Sequence, residues 1–150
     1  MLKEGDPAPD IQLADDLGSP FNLSELKGKR VVLYFYPKAD TPGCTTEACE
    51  FRDVIESFSR KGAAVVGVSP DKPSAQAKFK EKYHLTFTLL ADEEKSAAKA
   101  YGVWKEKNMY GKKVMGIERS TFVIGPDGRI EKIYSRVKAQ GHAERVLEEL

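Results

Sequence analysis

The apolar positions of this chain change period several times, and each change marks an element. Near the start, Ile11 and Leu13, then Phe21 and Leu23, predict two short strands around the Asp15–Pro20 turn. Asn22 or Ser24 is placed to cap a helical turn ending near Gly28. Val31 to Tyr36 (VVLYFY) is a continuous apolar, β-favouring run, the pattern of a strand buried on both faces. Pro37 ends it, a loop passes through Asp40, Thr41, Pro42 and Gly43, and a helical period runs from Cys44 to Arg60, closed by Lys61-Gly62. Ala63 to Ser69 (AAVVGVS) reads as a second buried strand.

Pro73 to Tyr83 predicts a helix with Phe79 and Tyr83 inward. Phe87 to Leu90 reads as a short strand, and Glu93 to Tyr101 as a short helix ended by Gly102. Val103 to Gly116 has no clear period and predicts an irregular or hairpin segment. Ser120 to Ile124 and Ile130 to Tyr134 are strands joined by Gly-Pro-Asp-Gly, a hairpin turn by composition. Gly141 to Leu150 predicts a closing helix with Val146, Leu147 and Leu150 inward. Strands alternating with helices favour α/β layers around a mixed, partly parallel central sheet, to which the last hairpin adds antiparallel edges.

Composition narrows the class. The 150 residues suffice for one domain over 1–150, and 41% apolar with 31% charged residues is ordinary for a soluble protein. With 24 basic and 23 acidic residues, a net charge of +1, nothing argues for nucleic acid or an anionic membrane as partner. The longest apolar run is far too short to span a bilayer. The opening MLKEGDPAPD lacks the apolar segment of a secretory signal. Two cysteines in such a chain point to a reducing, cytoplasmic compartment, where disulfides are catalytic or transient.

Those cysteines carry the candidate chemistry. Cys44 falls where loop becomes helix, and the unpaired N–H groups and dipole of a helix start favour thiolate over thiol. At about 100° per residue, Ala48, Phe51, Ile55 and Phe58 lie within about 40° of Cys44, which heads the apolar face. Cys49 lies about 140° away, among Thr45, Glu50, Arg52 and Asp53. A free cysteine is normally small core filler, so one on the polar side is either incidental or reactive.

The run P-K-A-D-T-P-G-C, with Pro37, Thr41 and Cys44, resembles the P-x3-T-x2-C signature of the peroxiredoxins. The following T-T-E-A-C is similar to the bacterioferritin-comigratory (peroxiredoxin Q) branch, as is K-N-M-Y-G-K-K-V-M-G-I-E-R-S-T-F-V-I, which puts Arg119 at the family's arginine position. The resemblance covers nearly the whole chain. It implies a thioredoxin-like fold with an N-terminal extension and an insertion. It also implies a thiol-dependent peroxidase, recycled by thioredoxin or a similar reductant, existing as a monomer or weak homodimer.

In that reading Cys44 attacks a peroxide, of hydrogen or of an organic group, and becomes a sulfenic acid. Thr41 offers a hydroxyl, Arg119 fixed charge, and the Gly43 and Cys44 N–H groups a donor pair. Pro37 walls the pocket without an N–H of its own. Cys49 is the candidate resolving thiol. In a regular helix its Cα lies about 8.7 Å from that of Cys44, against about 4.4–6.8 Å in a disulfide, so the helix start must unwind. No metal or organic cofactor is required.

Bland readings stand beside these. Arg119 equally suits a surface ion pair with Glu118, Thr41 a cap, Pro37 a strand end, and Glu47 a charge at the helix start that also reaches the loop. His84, His142, Trp104, Tyr34 and Tyr36 read as packing or surface residues. Competing functions are a thiol–disulfide oxidoreductase, which lacks its C-x-x-C, a metal module, which lacks zinc spacing, and a redox-regulated binding protein without turnover.

Overall fold

The computed structural model describes residues 1–150. In chain order the elements are β1 (Gln12–Asp15), β2 (Pro20–Asn22), a 3₁₀ turn (Leu23–Leu26), β3 (Arg30–Phe35), α1 (Pro42–Asp53) and α2 (Ile55–Arg60). Then come β4 (Ala63–Ser69), α3 (Pro73–Tyr83), β5 (Thr88–Ala91), α4 (Ser96–Ala100), β6 (Trp104–Met109), β7 (Lys112–Ile117), β8 (Ser120–Ile124), β9 (Ile130–Tyr134) and α5 (His142–Glu149).

Seven strands form one sheet in the order β2-β1-β5-β4-β3-β8-β9. The β3, β4 and β5 strands are parallel, while β8 runs antiparallel beside β3 and β1 antiparallel beside β5. This is the expected mixed sheet flanked by helices. The final hairpin differs in one respect from expectation: β8 lies inside the sheet and only β9 forms an edge. Side chains alternate along β3, so Val32 and Tyr34, with Tyr36 beyond the strand end, face one core, and Val31, Leu33 and Phe35 the other. Phe51 and Phe58 cover the first face; Ala97, Ala98 and Tyr101 cover the second.

Two expectations are corrected. The single helix Cys44–Arg60 is two, broken at Val54 (φ −116°, ψ 16°), and the first begins two residues early at Pro42. Proline suits a first helical turn, where its missing N–H costs nothing. The helix expected over Glu93–Tyr101 starts only at Ser96, because Lys95 is left-handed (φ 61°) and the buried Asp92 carboxylate accepts from Ala97 N (3.2 Å) and Ala98 N (2.9 Å). Of the two forms expected for Val103–Gly116, the structure shows the hairpin, β6 with β7, turning at Tyr110 and Gly111, both at positive φ. That is the backbone of a two-residue primed turn, which a tyrosine does not advertise.

Candidate active site

The site grows from the end of β3. Tyr36 keeps the register, donating its N–H to Val68 O (3.0 Å), and half-buried Pro37 ends the strand. The loop that follows is held from below: Ala39 N donates to Asp71 Oδ2 (2.8 Å). Asp40 is left-handed (φ 59°), a backbone few non-glycine residues adopt. Thr41 has the extended backbone of a helix cap (φ −101°, ψ 156°), but its hydroxyl donates to Lys38 O (2.7 Å) and no side chain caps α1. The first-turn N–H groups, those of Gly43 and Cys44 among them, therefore lack a side-chain acceptor.

Cys44 is the third residue of α1, still within its first turn. It is only 2% exposed, in keeping with its place at the head of the apolar face. The apolar face it heads packs into the core with Tyr34, Tyr36, Ala48 and Phe51, and Arg119 reaches over the sulfur. Cys49, on the opposite side of the same helix, is half-buried, and both cysteines are unbridged.

Arg119 lies between β7 and β8, its backbone fixed by Val137 N donating to its carbonyl (2.9 Å). Its guanidinium bridges two groups of α1. Nη2 donates to Cys44 Sγ (3.3 Å) and Nη1 to Glu47 Oε1 (2.7 Å). Gly43 makes room for this: a Cβ there would sit 3.1 Å from Arg119 Nη2. Glu118 is not the partner of Arg119; it takes Lys105 (2.7 Å) and Arg136 (3.3 Å) instead.

Burial works against the charge of Arg119, but the charges of Glu47 and Cys44 and hydrogen bonds to both raise its pKa overall. Glu47 is completely buried, and its Oε2 has no hydrogen-bond partner. Burial pushes its pKa up to about 7, against the opposing charge and hydrogen bond of Arg119. A second cation comes near from β6. Burial, then the charge of Arg119, lowers the Lys107 pKa, while Cys44 and Glu118 act in the opposite sense. Its stem lies across Gly116, where a Cβ would be 3.3 Å from Lys107 Cδ.

The fold thus brings Cys44, Arg119 and Glu47 into contact and sets Thr41 and Gly43 next to them in the loop and first turn. It does not bring Cys49 to Cys44, nor the histidines to either. His84 ends α3 in a left-handed conformation, and buried His142 shares a 2.7 Å hydrogen bond with Thr121 Oγ1. Burial, followed by the charges of Arg145 and Arg119, lowers the His142 pKa to about 4, so it is neutral at pH 7. Tyr34 and Tyr36 are core residues as expected, and Trp104 is half-buried against the second core.

Sequence reasoning underrated Glu47 and missed Lys107. The signal for Glu47 was there: at i+3 from Cys44, and next to Ala48, it puts a carboxylate on the rim of the apolar stripe. Nothing local singled out Lys107 among its neighbouring lysines.

A buried sulfur under a guanidinium, beside uncapped helix N–H groups, is built to carry negative charge on sulfur and on an oxygen bonded to it. The sequence model of the AhpC/TSA family matches residues 4–133, and the chain belongs to that family. Peroxiredoxin Bcp of Bacillus subtilis (strain 168) is 52% identical over 149 residues, covering 99% of this chain and 95% of that one. The crystal structure of a cysteine-to-serine variant of Xylella fastidiosa PrxQ superposes with a TM-score of 0.94 at 40% identity, over 99% of this chain and 95% of that one. A structure of the Xanthomonas campestris bacterioferritin comigratory protein gives 0.89 at 40% identity, over 93% and 88% of the two chains. The fold is thioredoxin-like, and the chain is a peroxiredoxin, a thiol peroxidase of the bacterioferritin-comigratory and peroxiredoxin Q branch.

Proposed function

We propose that the protein reduces hydrogen peroxide and organic hydroperoxides through Cys44, with Cys49 resolving the product as an intramolecular disulfide. The observation that carries the reading is the Arg119 guanidinium, held on buried Glu47 (2.7 Å) and donating to Cys44 Sγ (3.3 Å). The Cys44 thiolate attacks one peroxide oxygen. An S–O bond forms, the O–O bond breaks, and the leaving alkoxide or hydroxide takes a proton to become alcohol or water. Sulfur is oxidised to the sulfenic acid as the peroxide is reduced.

Each named residue has a part. Arg119 and the Gly43 and Cys44 N–H groups stabilise charge on the peroxide oxygens as the bond breaks. Thr41 gives its own proton to Lys38 O, so its oxygen is left to accept from the peroxide O–H. Pro37 closes the wall without competing donors. The Cys49 thiol then condenses with the sulfenic acid and releases water. Because Cys49 lies inside α1, the turns between the two residues must open first. A thioredoxin-like dithiol, meeting the protein as a monomer or weak homodimer in the cytoplasm, restores both thiols by exchange.

The organic hydroperoxide part is supported by the Xanthomonas campestris relative, which is described by its alkyl peroxide reduction activity. The test is stopped-flow mixing of reduced protein with hydrogen peroxide and with cumene hydroperoxide, followed by mass analysis and by turnover under a thioredoxin system. Rapid oxidation confined to Cys44, then a Cys44–Cys49 bond that thioredoxin reduces, is the expected result. A bond that never forms, or one that thioredoxin leaves intact, removes the resolving step or the reductant from the proposal.

A further inference from the structure

The segment that carries both cysteines is tied at its two flanks to a single residue. Before it, the Asp40 carboxylate accepts from Tyr83 Oη at 2.8 Å and from Lys82 Nζ at 2.9 Å. After it, Arg52 Nη1 donates to the Tyr83 carbonyl at 2.7 Å. Tyr83 is the last residue of α3. Its carbonyl is among those a helix end leaves without an intrahelical partner, at the negative end of the dipole, so a guanidinium suits it. Its ring packs edge-on against buried Phe79 (centroids 5.6 Å apart), which fixes Tyr83 independently of the cysteine segment.

We propose that Tyr83 is a positioning residue for the resolving step: by holding both flanks of the Cys44–Cys49 segment against α3, it slows the unwinding that brings Cys49 to Cys44. This rests on the reading of Cys49 as the resolving thiol. The start of α1 has no side-chain cap and begins Pro-Gly, and apart from Thr46 Oγ1 donating to Pro42 O (3.0 Å) its restraints come from outside the helix: Arg119 on Cys44 and Glu47, and the flanking contacts on Tyr83. The loop before it is held in a left-handed conformation at Asp40, and the Tyr83 and Lys82 contacts are what secure that residue's side chain. Beyond Cys49, the Arg52 contact is joined by Glu50 Oε1, which accepts from Gly141 N (2.8 Å), and by the stacking of Phe51 on Tyr34 (4.7 Å). Local opening equilibria follow the contacts an opening must release.

The consequence is kinetic. A Cys44 sulfenic acid has two fates: condensation with the Cys49 thiol, which releases water, or attack on a second peroxide, which oxidises sulfur to the sulfinic acid and releases an alcohol or water. Only the first waits for unwinding, so a residue that holds the helix closed sets the ratio between them.

Tyr83→Phe is the informative variant, because it keeps the ring on Phe79 and the carbonyl for Arg52 and removes only the hydroxyl on Asp40. Reduced protein is mixed with graded hydrogen peroxide, quenched in time and weighed by mass spectrometry. The disulfide is expected to form about three- to tenfold faster in Tyr83→Phe, the range one hydrogen bond gives. The sulfinic fraction at a fixed peroxide excess should fall in proportion, while the first oxidation of Cys44 stays within about twofold. Arg52→Gln, which frees the other flank, should move the ratio the same way. A residue of merely structural importance would lower the melting temperature and leave the ratio alone. If the original chain forms no Cys44–Cys49 disulfide, the Cys49 reading and this proposal both fall. If it forms the bond and Tyr83→Phe is no faster, this proposal alone is overturned.

Discussion

Cys44 and Cys49 stand five residues apart on one helix and share almost nothing else. Cys44 is packed into the core between aromatic rings, under a guanidinium that also holds a buried carboxylate. Cys49 is half-buried on the opposite side, with no comparable cation on its sulfur among the hydrogen bonds of the site. The same backbone therefore presents two thiols to two different chemistries. What separates them is a side chain from residue 119, far along the chain, that reaches one face of α1 and not the other.

The sharpest way to break the comparison is Cys44→Ser. Peroxide consumption should vanish, measured by stopped flow and by loss of peroxide under a thiol reductant, because Cys49 lacks the surroundings to replace it. Cys49→Ser should act differently. One equivalent of peroxide should be consumed at an unchanged rate, catalytic turnover with thioredoxin should be lost, and mass analysis should show sulfenic acid going on to sulfinic acid at excess peroxide. If the two serine variants behave alike, the distinction drawn between the thiols is wrong.

Arg119→Ala tests the side chain that creates the difference. The second-order rate constant for peroxide should fall about 10²-fold, comparable to removing one oxyanion-hole donor, with the far-ultraviolet circular dichroism unchanged. It should also leave Glu47 buried without its cation. The carboxyl would then favour its neutral form even more, since burial already dominates its titration.

The remaining effect is one of stability, read in unfolding rather than in rate. Glu47 titrates near pH 7 in the folded protein, above the ordinary carboxyl value of 4.5. A group whose folded pKa is raised favours folding at low pH, and that advantage is lost as pH rises through the folded value. From this group alone, stability should decline between about pH 4.5 and 7 by on the order of 3 kcal/mol. Glu47→Gln carries no such titration. Urea unfolding of both proteins at pH 5 and pH 8 should show the variant gaining on the original at the higher pH. An equal difference at the two values would mean that Glu47 does not titrate in this range.

Some of this was readable in the chain. The apolar run Val31–Tyr36, the Pro37 stop and the change to helical period placed a buried strand, a loop and a helix that together carry Cys44, because burial on two faces and helix initiation are local matters. The wheel of α1 set Cys49 away from Cys44 for the same reason. Resemblance to peroxiredoxins added Arg119, whose pattern of neighbours alone suited a surface ion pair equally well.

Local pattern does not reach across the sheet. Arg119 meets Cys44 and Glu47 because β8 lies inside the sheet beside β3 and so brings the residue just before it to the start of α1. No periodicity reports strand order, because hydrogen bonding between strands is blind to their separation in the chain. The burial of Glu47, and hence its pKa near 7, follows from that arrangement. The anchoring of Asp40 and Arg52 on Tyr83 is equally beyond local pattern, two contacts that span more than thirty residues each. The sequence by itself determined which thiol heads an apolar helix face. Tertiary packing alone decided which charges surround that thiol, because electrostatic environment depends on distance and burial in space, and the chain encodes those only through the whole fold.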